Sequence, residues 1–327
     1  MTSAPSVAIE AAGGRVLRVP RPGGIELRAA HFPGGGDPGR GDSAGSERGR
    51  CVFLPGYTEF IEKNLDSIAE LTARGFEVAT LDWRGQGLSD RLLPDRHKGH
   101  IDRMETHLED LAAVLDAIAG FAGGPPPSVV AHSMGAHLAL RYCMAAPERV
   151  ARAVLIAPML GIGRTGMPVG LARLLVEGFC LTPMVDSYIL GGAGYGERRR
   201  RFEGNPLTSD REQFEALHRM LDANPDLALG DPTFAWVRAA FRSIDAVMAP
   251  GALEAVRTPL MVALAGQETI VENAAIECAV ARLPDARLVR FPDARHEILR
   301  ERAPVRRAFW EAVDRFLADT AAQPAIR

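Results

Sequence analysis

No stretch of this chain approaches the run of about 20 apolar residues that a bilayer-spanning helix needs. Residues 1–15 carry no basic flank leading into an apolar core, so no secretory leader is expected. Charge of one sign is missing too. With 38 Lys and Arg against 41 Asp and Glu the formal net charge is −3, which leaves no global pull toward nucleic acid or an anionic membrane. Cysteines are few and scattered: Cys51, Cys143, Cys180 and Cys278 form no C-x-x-C pair and no zinc-like spacing, and read as small buried hydrophobes. Internal repeats are absent. What remains is an ordinary globular composition, 47% hydrophobic and 24% charged, on a 327-residue chain long enough for a substantial core. A soluble cytoplasmic protein with no nucleic-acid partner is expected.

The order of apolar segments is informative. Val16–Pro20 and Ile25–Phe32 flank Pro22-Gly23-Gly24 and predict an antiparallel hairpin, and residues 34–50, rich in Gly, Ser, Asp and Arg, predict a flexible surface loop. From Cys51 onward strand and helix patterns alternate. Strands are expected at Cys51–Leu54, Phe76–Leu81, around Val129–Val130 and at Val150–Ala157, with helices carrying Leu65, Ile68 and Leu71, then Met104, Leu108, Leu111, Leu115 and Ile118, then Ala136, Ala139, Leu140 and Cys143. Such alternation predicts an α/β fold: a mostly parallel sheet with helices on both faces. The rhythm stops after Ala157, where helical apolar runs such as Leu171–Phe179 are cut by Pro168, Pro183, Pro206, Pro225 and Pro232. It resumes with strands at Leu260–Ala265 and Ala286–Phe291 and a last helix carrying Phe309, Val313, Phe316 and Leu317. The expected organisation is a core of residues 1–157 and 251–327 with a helical cap inserted at 158–250.

The chemistry centres on Val129-Val130-Ala131-His132-Ser133-Met134-Gly135. A short apolar strand running into a serine among small residues, then directly into an amphipathic helix, is the pattern of a nucleophile elbow: the sharp turn exposes the serine hydroxyl and excludes bulk two residues to either side. Gly135 meets that demand, and Ala131 departs from G-x-S-x-G by one methyl. A serine hydroxyl needs a base and a group that orients the base, and in sheet enzymes with an elbow these follow in chain order at strand ends. His296, the last histidine, follows the final strand. Glu268 follows the penultimate one, with Asp293 as a local rival. An oxyanion hole needs two backbone N–H groups. Met134, next after the serine, offers one, and Tyr57, in the tight turn after Leu54, offers the other.

Four segments together carry a family resemblance: Leu54-Pro55-Gly56-Tyr57-Thr58-Glu59, Asp82-Trp83-Arg84-Gly85-Gln86-Gly87-Leu88-Ser89, Ala131-His132-Ser133-Met134-Gly135 and Arg295-His296-Glu297. They resemble the α/β-hydrolase superfamily, and within it the bacterial lysophospholipase and monoacylglycerol lipase branch; Asn205-Pro206-Leu207-Thr208-Ser209-Asp210 and Gly230-Asp231-Pro232-Thr233 extend the resemblance into the cap. It implies a small-molecule acyl ester substrate, a lysophospholipid or monoacylglycerol, cleaved through an acyl-serine intermediate without a cofactor. By position it implies Ser133 as nucleophile, His296 as base and Glu268 where the family usually has aspartate. Glu59 matches an acidic residue that braces backbone groups beside the oxyanion loop. A small-ester or thioester hydrolase, an acyltransferase on the same triad, and a ligand-binding protein with a vestigial site are the alternatives. Leu171, Leu174, Leu175, Val176, Phe179, Met184 and Val185 are apolar enough to line an acyl-chain tunnel or simply to pack the cap. The Arg198–Arg201 run is either a solvated face or a patch for anionic head groups at the pocket mouth, so peripheral membrane contact through the cap is a further expectation. His97 and His100 have a ligand-like interval but no assignable third partner, and no metal is expected.

Overall fold

The computed structural model describes residues 4–34, 48–163 and 166–318. The loop expected at 34–50 falls, from 35 to 47, outside the described residues. Among the described residues eight strands form one sheet: β1 (Arg15–Arg21), β2 (Ile25–Phe32), β3 (Arg50–Leu54), β4 (Glu77–Leu81), β5 (Ser128–His132), β6 (Arg152–Ile156), β7 (Leu260–Ala265) and β8 (Ala286–Phe291). Their order is β1-β2-β4-β3-β5-β6-β7-β8. β1 and β2 are the predicted antiparallel hairpin, β2 meets β4 antiparallel, and every other pairing is parallel. The exchange of β3 and β4 places β3 beside β5, so the turns after Leu54 and His132 open side by side at the C-terminal end of the sheet, where ligands of open α/β sheets bind.

Parallel strands covered on both faces must be apolar along their whole length, as β7 (Leu-Met-Val-Ala-Leu-Ala) is, with every residue buried. One face of the sheet packs α3 (Glu105–Ala117), α4 (Met134–Ala145) and α8 (Asn273–Arg282). The other packs α2 (Leu65–Ala73), α9 (Ala303–Ala318) and α1 (Ala4–Ala11), a short helix the sequence pattern does not announce, which inserts Ile9 into that layer. Between β6 and β7 lie α5 (Val169–Cys180), α6 (Arg211–Ala223) and α7 (Phe234–Met248). Asp210 caps α6 by accepting from the Gln213 N–H at 3.2 Å, and Thr233 caps α7 by accepting from the Trp236 N–H at 3.3 Å. The inner face of α7, with Ala240, Ile244 and Val247, continues the first core layer, so this helix belongs as much to the sheet domain as to the insertion.

Two sequence readings need correction. Of the seven apolar residues considered for a tunnel, only Leu175 and Val176 line the internal cavity, whereas Leu171, Leu174 and Met184 point outward and Phe179 stacks on Phe234 at 4.3 Å. The cysteines are not uniformly buried: Cys51 and Cys143 are, while Cys180 is half-buried and Cys278 exposed.

Candidate active site

The turn at Ser133 is strained as an elbow requires. Its φ of 52° and ψ of −115° lie where few non-glycine residues go. The cost is held by the surrounding structure: the Ser133 N–H donates to the Ile156 carbonyl at 2.8 Å, and α4 starts at once. Gly135 has no room for a side chain, since a Cβ there would stand 2.4 Å from the Pro55 carbonyl oxygen. Ala131 is fully buried, so the position often given to glycine accepts a methyl here.

From this turn a hydrogen-bonded relay runs through the two predicted partners. Ser133 Oγ lies 2.9 Å from His296 Nε2, and His296 Nδ1 lies 2.6 Å from Glu268 Oε2. The glutamate's extra methylene is absorbed by its own turn. Its other oxygen, Oε1, accepts from the backbone N–H groups of Thr269 (2.8 Å), Ile270 (2.7 Å) and Val271 (3.3 Å), which leaves Oε2 aimed at the imidazole. Burial works against the charge on Glu268, but the His296 hydrogen bond and these N–H groups outweigh it and hold the carboxyl below its usual range. Asp293 is exposed and does not reach His296, whose Nδ1 is occupied by Glu268.

Beside the serine, the turn after β3 presents three successive N–H groups. Gly56 donates to Glu59 Oε2 and Thr58 to Gln86 Oε1, each at 2.6 Å. The N–H of Tyr57 between them, and that of Met134, have no acceptor among the described residues. The Asp82–Ser89 segment is the scaffold behind this turn. Trp83 Nε1 donates to the Pro55 carbonyl at 2.8 Å, and Asp82 accepts from the N–H groups of Ile61 (2.9 Å) and Leu88 (2.7 Å) and from Arg28 (2.7 Å). Arg28 is itself clamped at 2.7 Å by both oxygens of Glu62.

A buried charge network that the sequence does not announce joins the two sides of the site. Lys63 Nζ donates to Glu59 Oε1 (2.9 Å) and Glu297 Oε1 (2.6 Å), tying the turn at Tyr57 to the residue after His296. His132 lies 3.3 Å from Glu59 and bonds the His296 carbonyl at 3.1 Å. Burial alone would favour a neutral Glu59, yet Lys63 and His132 hold its carboxyl well below the usual range; Glu59 in return raises the His132 imidazole against the same burial. Sequence spacing carries a hint of only one of these contacts, the i,i+4 interval of Glu59 and Lys63; Glu297 is 234 positions from Lys63.

Over this floor stands a cavity of about 950 Å³. Its lining is mixed: Met159, Ile162, Leu175, Val176, Val237 and Phe241 are apolar, while Arg198, Arg199, Arg201, Glu203 and Asp231 are charged. The Asn205–Asp210 segment docks the insertion onto the histidine loop: the His296 and Glu297 N–H groups donate to the Pro206 and Leu207 carbonyls at 3.4 and 2.8 Å. His97 and His100 serve as struts. His97 Nδ1 accepts the Tyr195 N–H at 3.0 Å, and His100 Nδ1 lies 3.1 Å from Thr233 Oγ1. Among the described residues no three His, Cys, Asp or Glu side chains converge as a metal site needs, and no helix is long and apolar enough to cross a membrane.

Comparison with known proteins agrees with this architecture. A family model described as serine aminopeptidase, S33, matches residues 45–303. A probable lysophospholipase L2 from Haemophilus influenzae is 30% identical over 271 residues, which cover 81% of this chain and 82% of that protein. Lysophospholipase L2 from Escherichia coli K12 is 31% identical over 223 residues, 68% of this chain and 64% of that protein. Among solved structures, a soluble variant of monoglyceride lipase from Saccharomyces cerevisiae in complex with a substrate analog superposes with a TM-score of 0.71 at 17% identity, over 93% of this chain and 95% of that one. At that identity the likeness concerns the fold.

Proposed function

The chain belongs to the serine aminopeptidase S33 family of α/β hydrolases, and on that premise we propose that it cleaves the carboxylic ester of an acyl lipid, a lysophospholipid or a monoacylglycerol, through an acyl-serine intermediate. The observation that carries the reading is the Ser133–His296–Glu268 relay, whose serine and histidine open into a cavity lined in part by apolar side chains. In this mechanism Ser133 Oγ attacks the ester carbonyl as His296 Nε2 takes its proton, and Glu268 stabilises the imidazolium through Nδ1–H. The Tyr57 and Met134 N–H groups receive the negative oxygen of the tetrahedral intermediate, each contributing about 10²- to 10³-fold in rate. His296 returns the proton to the leaving alcohol, and water activated by the same imidazole releases the fatty acid. No cofactor takes part.

The names of the relatives support the lipid assignment, and so does the outer surface of the 158–250 insertion, which we read as a cap. Leu174 and Leu181 are 70 and 87% exposed, and Val169, Leu171 and Met184 are exposed with them. Water-facing leucines at this density mark an interaction surface, and we assign it to peripheral contact with the membrane that holds the substrate. A cytoplasmic location belongs to the same proposal; the four cysteines are free thiols, as in a reducing compartment. An aminopeptidase, despite the family's name, needs acidic groups free to receive a substrate ammonium, and the cavity instead offers arginines. Hydrolysis measured across lysophospholipids, monoacylglycerols and p-nitrophenyl esters of graded length tests the proposal. Preference for long acyl chains, abolished by Ser133→Ala, is expected; activity confined to short esters or to aminoacyl amides refutes it.

A further inference from the structure

The cap holds one group of charges that ester chemistry does not use. Residues 198–201 are four consecutive arginines, and the structure sorts them. Arg200 turns away to α6, where Asp222 takes both its terminal nitrogens at 2.7 and 2.6 Å; it does not line the cavity. Arg198, Arg199 and Arg201 do line it. Arg198 and Arg199 share a single carboxylate, Asp231, which is also held by the Ala193 N–H at 2.9 Å. Arg201 is exposed and has no hydrogen-bond or ion-pair partner among the described residues; Glu203, two positions on, is engaged by Arg211 at 2.7 Å. Three guanidiniums in the cavity lining are thus set against one carboxylate not already matched elsewhere, leaving two positive charges in excess.

This charged lining is tethered to the reacting centre. Tyr57, which lines the cavity with Ser133, donates its hydroxyl to the Gly230 carbonyl at 3.1 Å, immediately before Asp231. Asp231 therefore acts as a bracket: it fixes two guanidiniums relative to the oxyanion turn without cancelling both. Guanidinium forks match phosphate oxygens two at a time, and a fork already held in place loses less freedom on binding. In a lysophospholipid the phosphate is joined to the same glycerol unit as the scissile ester, so one cavity can take both groups.

We propose that Arg198, Arg199 and Arg201 form a subsite for a phosphate ester, and that the preferred acyl lipid carries a glycerophosphate in place of the free hydroxyl of a monoacylglycerol. The inference rests on the ester-hydrolase reading above. A short-chain 1-acyl lysophosphatidylglycerol and the monoacylglycerol with the same acyl chain, both below their critical micelle concentrations so that no charged surface forms, are compared by kcat/KM. Wild type is expected to favour the phosphate-bearing substrate at least a hundredfold. Arg201→Ala cuts that ratio about tenfold, and Arg198→Ala/Arg201→Ala about a hundredfold, in keeping with hydrogen bonds to charged groups. Arg200→Ala, which removes the arginine facing α6, leaves the ratio within twofold of wild type. Inorganic phosphate competes with the lysolipid on wild type and loses that effect in the double variant. A ratio unmoved in both Arg201 variants while both substrates are still cleaved overturns the subsite alone; absence of acyl-ester cleavage by wild type overturns the underlying reading and the subsite with it.

Discussion

Replacing Lys63 by methionine removes the cation that bridges the two halves of the site while nearly conserving side-chain length. Lys63, Glu59 and Glu297 have side chains only 1, 4 and 6% exposed, so water cannot take over the lost contact. Glu59 keeps the Gly56 N–H at 2.6 Å and His132 at 3.3 Å. Glu297 loses its 2.6 Å hydrogen bond and is left with Arg300 at 3.9 Å. Removing one partner of a buried ion pair costs about 3–5 kcal/mol, with the lower end expected here because His132 and Arg300 remain. At about 2.1 cal/mol/K of unfolding entropy per residue, the 327-residue chain should lose about 4–7 °C in Tm. Scanning calorimetry reads the shift. Lys63→Met/Glu297→Gln, which replaces the stranded charge with a neutral amide, should be more stable than the single variant by about 1–3 kcal/mol. The single variant should also lose about 10- to 100-fold in kcat as the bracket on Tyr57 loosens. A Tm within 1 °C of wild type, or a double variant no more stable than the single, refutes the reasoning.

Glu268→Gln should fold normally yet lose about 10⁴-fold in kcat. The amide oxygen stays on the N–H groups that now hold Oε1, its NH₂ then faces Nδ1, and the tautomer this selects puts the proton on Nε2, where a base cannot carry it; a loss below tenfold contradicts this geometry. Leu174→Glu/Leu181→Glu should weaken co-sedimentation with phospholipid vesicles at least tenfold and spare hydrolysis of soluble short-chain esters, whereas unchanged sedimentation removes the membrane role of that face. The pH profile of Tm should fall on two sides. Glu59 and Glu268 sit below their ordinary value of 4.5, so their stabilisation is complete above it and is lost as pH drops through the lowered values. His132 is raised above 6.5, so its contribution is present below that and fades as pH climbs through the raised value. Glu268→Gln should flatten the acid side, and an acid limb as steep as in wild type would count against the assignment.

What the sequence discloses here is whatever depends on local periodicity and turn chemistry. The strands, the elbow at Ser133 and the chain order of Glu268 and His296 are all readable because each is a strand end with a defined neighbour in the chain. Even the glutamate in place of aspartate is intelligible afterwards, since its turn supplies three N–H groups to use the extra reach. Less accessible are contacts fixed only by tertiary packing. Apart from the i,i+4 interval to Glu59, nothing local marks Lys63, and nothing reveals that Glu297 closes over it. The arginine run shows the same limit: composition marks four positive charges, and only the fold sends Arg200 to Asp222 and the others to the cavity. Between β6 and β7, hydrophobicity alone cannot separate Leu175, which lines the cavity, from Leu174, which faces water.

Nucleophilic attack by a Ser133 hydroxyl activated by His296 underlies the proposed reaction. Reaction with a fluorophosphonate followed by peptide mass spectrometry tests it most directly. A single stoichiometric phosphonyl adduct is expected on the peptide containing Ser133, absent in Ser133→Ala and formed at least a hundredfold more slowly in His296→Ala. Labelling at another serine, or labelling of Ser133 at an unchanged rate without His296, would contradict it.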